Sequence, residues 1–294
     1  MCKFFYSLQF SGGNATRRDL AECAANNIID KCWRCKPDWD KNRQALAQCA
    51  AGFAKGTTGG SGGEVYIVTD PTDADAAAPK PGTLRAGVTQ NKAIWVTFEK
   101  DMVITLTQEL VITSDTTIDG RGAKVEITGA GLTLYNVKNV IVHGLNIHDI
   151  KESPGGMIKN SDGPPGLRLK TDGDGICVTG SSKIWIDHCS LSKGPDGLID
   201  VTLKSTAVTI SNCKFTNHHK VLARADAPEE EWKKWNWRTE KDALLNGAVF
   251  VPSGVDPPLT PEQKELLIVA EPGESVPQLT NAAGVLSCMP GQPC

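Results

Sequence analysis

The sequence predicts an all-β chain: a parallel β-helix preceded by a short helical segment and followed by a tail packed on the coils. Three observations carry this. After a glycine-rich stretch come short apolar runs rich in Val, Ile and Thr, namely VYIV, AIWVTF, MVITL and LVIT, the composition of buried strands. Three later segments then repeat one plan of strand, polar turn, strand, polar turn: Gly131 with LTLYNVKNVIVHGLNI, Gly175 with ICVTGSSKIWIDHCSL, and Gly197 with LIDVTLKSTAVTISNCKF. Within them Leu145, Cys189 and Cys213 fall at matching places, as do Ile147, Leu191 and Phe215. A repeat this small cannot bury its own apolar face, so its copies must stack and align these residues as inward ladders. The competing β-sandwich seldom keeps such register between strands.

Taken in order, residues 14–55 carry helical spacing, with Leu20, Cys23 and Asn27, then Leu46, Cys49 and Phe53. Gly56 to Gly63, GTTGGSGG, reads as a flexible break. Gly175 and Gly197 are 22 residues apart, one coil. Gly131 and Gly175 are 44 apart, one coil plus the loop Ser153 to Thr171. After Leu222 the pattern stops; 223–240 is charged and Trp-rich, and 251–294 is Pro-rich. The expected division is 1–62 for the helical extension and linker, 63–222 for the β-helix, and 223–294 for the tail.

Composition bounds the rest. A net charge of -3 excludes a basic nucleic-acid binder, and no run of 18 apolar residues is present to span a membrane. Ten cysteines, clustered toward the two ends, suit staples in a secreted chain. Cys32 and Cys35 form a CxxC, but no second CxxC or His pair supports zinc. Asn14-Ala15-Thr16 is a glycosylation sequon. Met1 to Phe10 makes a poor signal peptide, so no secretion signal is evident here.

The chemistry concentrates in four aspartates. Asp172 and Asp174 precede Gly175, Asp196 precedes Gly197, and Asp200 follows four residues later. The 22-residue register puts Asp174 and Asp196 at equivalent positions on adjacent coils, about 4.8 Å apart. Carboxylates that close repel unless one is protonated or a cation lies between them. Oxygen donors alone, with flexible geometry, favour Ca²⁺. Each Asp-Gly pair taken singly reads as a turn; the match between coils is what points to a metal.

The motifs CWRCKPDWDKNRQALAQCAAGFAKGT, TIDGRG, WIDHCSLS, DGLIDVT and SNCKFT, with WNWRTEKD, GAVFVPSG, LTPEQK and AEPGE through CMPGQPC in the tail, resemble the plant pectate lyases, in particular the ragweed group of pollen allergens. The resemblance runs from about Asn14 to Cys294. It implies a right-handed parallel β-helix that cleaves polygalacturonate, the backbone of pectin, by Ca²⁺-dependent β-elimination. It implies Ca²⁺ ligands at Asp172, Asp174, Asp196 and Asp200, and a substrate-binding lysine at Lys220. The partner implied is pectin, with a secreted, extracellular or cell-wall location, no nucleic acid, no membrane, and a monomer. The family's catalytic arginine lies in an RxPxxR motif, and none of the nine arginines here has that setting. HHKVLARADAPEE joins the coil of Lys220 to a segment that in the family comes several coils later, so intervening coils read as deleted, leaving no catalytic residue to assign. Terminal clustering in a secreted chain further leads us to expect Cys32 paired with Cys49 and Cys288 with Cys294. The pairing of Cys2, Cys23, Cys35, Cys177, Cys189 and Cys213 stays open.

Lesser signals read as structural. Asp187 and His188 are neighbours on a strand and should point to opposite faces. Trp232, Trp235 and Trp237 should pack the tail, and His218 and His219 should form a solvated turn. A polygalacturonase on the same fold would need an aspartate pair with GHG and RIK motifs, which are missing. A non-catalytic wall-binding or allergenic protein is the alternative that the missing arginine favours.

Overall fold

The computed structural model describes residues 25–218 and 259–294, together with positions 230, 234, 252 and 254. Its strands stack into three parallel sheets, the faces of a parallel β-helix. The first sheet takes β1 (Glu64–Val68), β2 (Ile94–Phe98), β5 (Thr116–Asp119), β8 (Lys138–His143), β13 (Ser182–Asp187) and β16 (Thr206–Ser211). The second takes β3 (Met102–Thr105), β6 (Val125–Gly129), β9 (Asn146–Ile150), β14 (Ser190–Ser192) and β17 (Lys214–Thr216). The third takes β4 (Leu110–Val111), β7 (Leu132–Tyr135), β12 (Ile176–Thr179) and β15 (Ile199–Thr202). The runs VYIV, AIWVTF, MVITL and LVIT therefore open the helix as β1 to β4.

Inward residues form the core. Ile147, Leu191 and Phe215 are register partners on three successive coils; Ile147 and Leu191 are buried, whereas Phe215, on the last described coil, is 45% exposed. Fully burying one such side chain is worth about 1.5–3 kcal/mol, so each coil depends on the next for this stabilisation. Two corners recur on successive coils as left-handed residues. One runs through Asp115, Asn139, Lys183 and Ala207, another through Asp149, Lys193 and Asn217, all with φ between 50° and 63°.

The expected one-coil spacing of 22 residues is corrected. Ile176 pairs with Ile199, a step of 23, and Ser182 with Thr206, a step of 24. Gly175 therefore lies one residue out of step with Gly197. Between Gly131 and Gly175 the expected loop contains an antiparallel hairpin, β10 (Gly156–Ile158) with β11 (Gly166–Arg168).

The outer face of the first sheet is buried too. Trp95, Thr117, Ile141 and Trp185 form one outward ladder, covered by Ile29, Trp33, Trp39, Leu46 and Cys288. The helix expected over 14–55 is mostly not formed within the described residues. Only α1 (Ile28–Trp33), capped by the Asn27 side chain, and 3-10 turns at Arg43–Cys49 and Gly52–Ala54 are present. Pro37 disfavours helical backbone at Lys36, and the segment follows the contour of the sheet instead of its own periodicity. Residues 14–24, with Asn14 and Cys23, lie outside the described residues.

The glycine-rich stretch is not a flexible break. Gly60 donates its N–H to Thr117 Oγ1 at 3.0 Å, and Thr58 and Gly59 donate theirs to Asn139 Oδ1. A Cβ on Gly60 would fall inside the Ile94 carbonyl. These glycines are there for close approach of backbone to sheet.

The C-terminal segment, with α2 (Pro261–Glu265) and α3 (Val276–Leu279), joins the same cover. Trp39 Nε1 donates to the Gln292 carbonyl at 3.0 Å, Cys294 N to the Arg34 carbonyl at 2.7 Å, and Gly284 N to the Asn212 carbonyl at 2.6 Å. Disulfides join Cys32 to Cys49 and Cys288 to Cys294; Cys35 is disulfide-bonded as well. Cys177, Cys189 and Cys213 are thiols. Among the described residues no helix is long and apolar enough to cross a membrane.

Replacing Cys32 and Cys49 together by Ala is expected to lower stability to urea by about 2–4 kcal/mol, the usual range for such a staple. Peptide mapping without reduction should recover both terminal pairs; free thiols at all four positions would refute them.

Candidate metal and substrate site

The four aspartates meet at the edge of the third sheet, where β12 and β15 begin. Gly173 has φ of 98°, a left-handed turn between Asp172 and Asp174. Carboxylate oxygens of Asp172, Asp174 and Asp196 lie within 4.8 Å of one another. Gly197 N donates to Asp174 Oδ1 at 2.7 Å. A Cβ on Gly197 would come closer than 3.0 Å to both Asp174 Oδ1 and Asp200 Oδ1, so Gly197 keeps open the space between these two carboxylates.

The route to this cluster differs from the one the repeat suggested. With a step of 23, the residue level with Asp174 is Gly197, not Asp196, and Asp200 pairs with Cys177 on the outward face. The carboxylates converge because the turns at Gly173 and Gly197 steer them together.

Asp174 is buried, Asp172 exposed, and Asp196 and Asp200 half-buried. Burial, then the charge of Asp200, then more weakly those of Asp172 and Asp196, push the Asp174 carboxyl up to about 7, against the Gly197 N–H that favours its anion. Burial and close like charges have this effect on a carboxyl. Cys177, which the sequence reading did not place here, stays a thiol. Burial and the neighbouring Asp174 and Asp200 raise it, outweighing its contact with Thr179. The donors at the site therefore remain oxygen, and none of the described His residues joins them.

Beside the cluster the outer face of the third sheet forms a hollow of about 180 Å³ lined by Thr133, Tyr135, Arg168, Lys170, Asp172 and Asp174, among others. A second hollow of about 290 Å³, over β4 and β7, shares Tyr135 and Arg168 with the first. Arg168 comes from β11 of the hairpin. Its Nε and Nη2 donate to Glu109 Oε1 and Oε2 at 2.6 and 3.2 Å, and its guanidinium lies 5.1 Å from the Tyr135 ring centre.

A separate buried cluster lies under the N-terminal cover. Asp187 Oδ2 is 3.0 Å from His143 Nδ1 and 2.8 Å from His188 Nδ1, and Asp30 Oδ1 is 3.3 Å from His188 Nε2. The expectation that Asp187 and His188 point apart is corrected. Strand β13 ends at Asp187, and His188 has φ of 51°, which turns its ring back onto the aspartate. Burial alone would raise Asp187, but His188 and His143 hold its carboxyl well below the usual range. With Arg34 on Asp30 at 2.8 Å and Trp33 stacked edge-on against both imidazoles, this cluster pins the cover to the coils. His218 is half-buried rather than a solvated turn residue, its Nδ1 shielded from water. Lys220, His219, Trp232, Trp235 and Trp237 lie outside the described residues.

The profile of the pectate lyase family matches residues 39–230. Pectate lyase 1 of Ambrosia artemisiifolia is 50% identical over 362 residues, covering 96% of this chain and 91% of that protein. A pectate lyase of Lilium longiflorum is 40% identical over 369 residues, covering 96% and 85%. The crystal structure of Jun a 1, the major allergen from cedar pollen, superposes with a TM-score of 0.78 at 34% identity, covering 89% of this chain and 100% of that one.

The raised carboxyl at Asp174 gives a stability prediction. Its folded value lies above the unfolded one, so the stability it contributes is present in acid and is lost as pH rises toward about 7. In the presence of a chelator, Asp174→Asn should therefore raise the melting temperature more at pH 8 than at pH 5. An equal effect at both pH values would contradict the charge repulsion.

Proposed function

The chain belongs to the pectate lyase family, and from that premise we propose that it binds Ca²⁺ at Asp172, Asp174, Asp196 and Asp200, holds polygalacturonate across them, and eliminates it poorly. The observation that carries the reading is the cluster of Asp172, Asp174 and Asp196, with Asp174 and Asp200 both against Gly197. Their mutual repulsion makes a divalent, oxygen-preferring cation the natural occupant. Asp174 is buried and oriented by the Gly197 N–H, whereas Asp172 is exposed and able to adjust to an ion.

When bound, the ion supplies charge stabilisation for the carboxylate of a galacturonate ring as its weakly acidic C5 proton leaves. That proton must pass to a base within hydrogen-bond reach, a contribution of about two to four orders of magnitude. The chain has no RxPxxR arginine. Lys220 is assigned to hold the substrate carboxylate. It would serve badly as base, because a lysine at its ordinary pKa is protonated at neutral pH. The alignment with the ragweed protein extends over 362 residues, more than the 294 of this chain. That excess supports an internal segment missing after Lys220. Disulfides at both ends support secretion, and we propose a monomer acting in the cell wall.

Two outcomes are expected. Calorimetric titration should show Ca²⁺ binding that the Asp174→Asn, Asp196→Asn double variant loses; equal binding would remove the assignment. Ultraviolet absorbance of the unsaturated product, with polygalacturonate, calcium and alkaline buffer, should show little or no turnover. Turnover comparable to a full-length relative would mean that another residue serves as base.

A further inference from the structure

We propose that Arg168 is a specificity-determining residue that reads a free carboxylate on the uronate ring lying next to the aspartate cluster. The inference rests on the polygalacturonate reading above and adds to it a recognition group for unesterified rings. Three features of Arg168 support it. Its side chain comes from β11, outside the coils, yet reaches over the third sheet as the shared wall of two adjoining hollows. One edge of its guanidinium, Nε and Nη2, is fixed by Glu109, which is 2% exposed and also accepts from Thr133 Oγ1 at 2.6 Å. One face is set against Tyr135. That leaves Nη1 with donors directed away from Glu109, on a side chain still 23% exposed.

Such an arrangement fits recognition better than simple stapling. The hairpin is already closed by its own β10–β11 ladder, so holding it does not require Arg168. A guanidinium locked by a buried carboxylate loses little entropy when it takes a second anion, and its planar fork matches a carboxylate. The location suits the substrate. Along the helix axis the outward residues run from Asp200 to Cys177 to Thr133 on successive coils, about 4.8 Å per step, a spacing comparable to one sugar ring. A chain anchored at the aspartates would therefore place its next rings over Thr133 and Tyr135, beneath Arg168. A methyl ester removes the anion that the guanidinium would bind, so the residue would discriminate by esterification.

The test uses the full chain with calcium and a defined unesterified galacturonate hexamer, and the same hexamer fully methyl-esterified, by calorimetry. Calcium binding alone is measured first in each variant. Because Arg168→Gln alone would strand the buried Glu109, the double variant E109Q/R168Q is used, with Arg168→Lys as the conservative partner. The parent should prefer the unesterified hexamer. E109Q/R168Q should bind it about ten- to a hundredfold more weakly, the range of one charge-assisted hydrogen-bonded contact, with calcium affinity unchanged and the ester preference reduced. Arg168→Lys should recover part of that preference. Parent-like affinity and ester preference in E109Q/R168Q would overturn the role of Arg168 while leaving the polygalacturonate reading intact. A parent that binds calcium but neither hexamer would overturn both.

Discussion

The parallel ladder between coils is the constraint on which everything else here depends. A coil of 22 to 24 residues has no second layer of its own. Its inward Ile, Leu and Val side chains leave water only when the coil above and the coil below are in register. The ladder Ile147, Leu191, Phe215 is consistent with this, with two buried members and the last described one 45% exposed. The same stacking places Asp200 on an outward ladder with Cys177 and Thr133. Core and site are thus two faces of one register, and a slip that disturbed one would disturb the other.

The outer cover adds a second requirement. The first sheet presents Trp95, Ile141 and Trp185 outward, and a chain this short cannot leave three such ladder members in water. The N-terminal and C-terminal segments meet over them and are fastened by backbone hydrogen bonds, disulfides and two buried ionic groups. In one group Arg121 and Arg43 both reach Asp119, at 2.8 and 3.0 Å. Burial opposes ionisation there, yet Arg121 and then Arg43 keep that carboxyl far below its usual range. In the other, Asp187 gathers His143 and His188. Buried charges of this kind cost much to expose singly, so they fix where the cover sits more than they add to stability.

Much of this was legible in the residues, for reasons that can be named. Strand runs and inward ladders announce themselves through Val, Ile and Thr, and the alignments of Leu145, Cys189 and Cys213 and of Ile147, Leu191 and Phe215 hold in the structure. Glycines were the unreliable guides. Gly175 and Gly197 look equivalent but sit one residue apart in register. GTTGGSGG looks loose because glycine permits flexibility; here it permits contact instead. Corners were hidden for the opposite reason. Left-handed backbone falls on Lys183 and Ala207, residues that do not advertise it, and the turn of His188 onto Asp187 could not be read from strand alternation. The hairpin carrying Arg168 was equally silent, since MIKNSDGPPGLR has the composition of an ordinary loop.

The aspartate cluster shows why an approximate register still led to these residues. Two carboxylates held on strictly equivalent strand positions would be kept near the coil spacing of about 4.8 Å, with little freedom to adjust. Here the acids lie in turns, at Asp172-Gly173-Asp174 and Asp196-Gly197, where backbone can bend, and Asp200 alone is held by a strand. One rigid donor, one buried and oriented donor, and two adjustable ones make a site that can fit a cation without rebuilding the sheet. Such a site needs only the β12 and β15 coils and the turns leading into them. Proton removal from a sugar makes a further demand, a base within hydrogen-bond reach of that proton. On the proposed reading cation binding and elimination therefore draw on different groups, and the first can persist where the second is impaired.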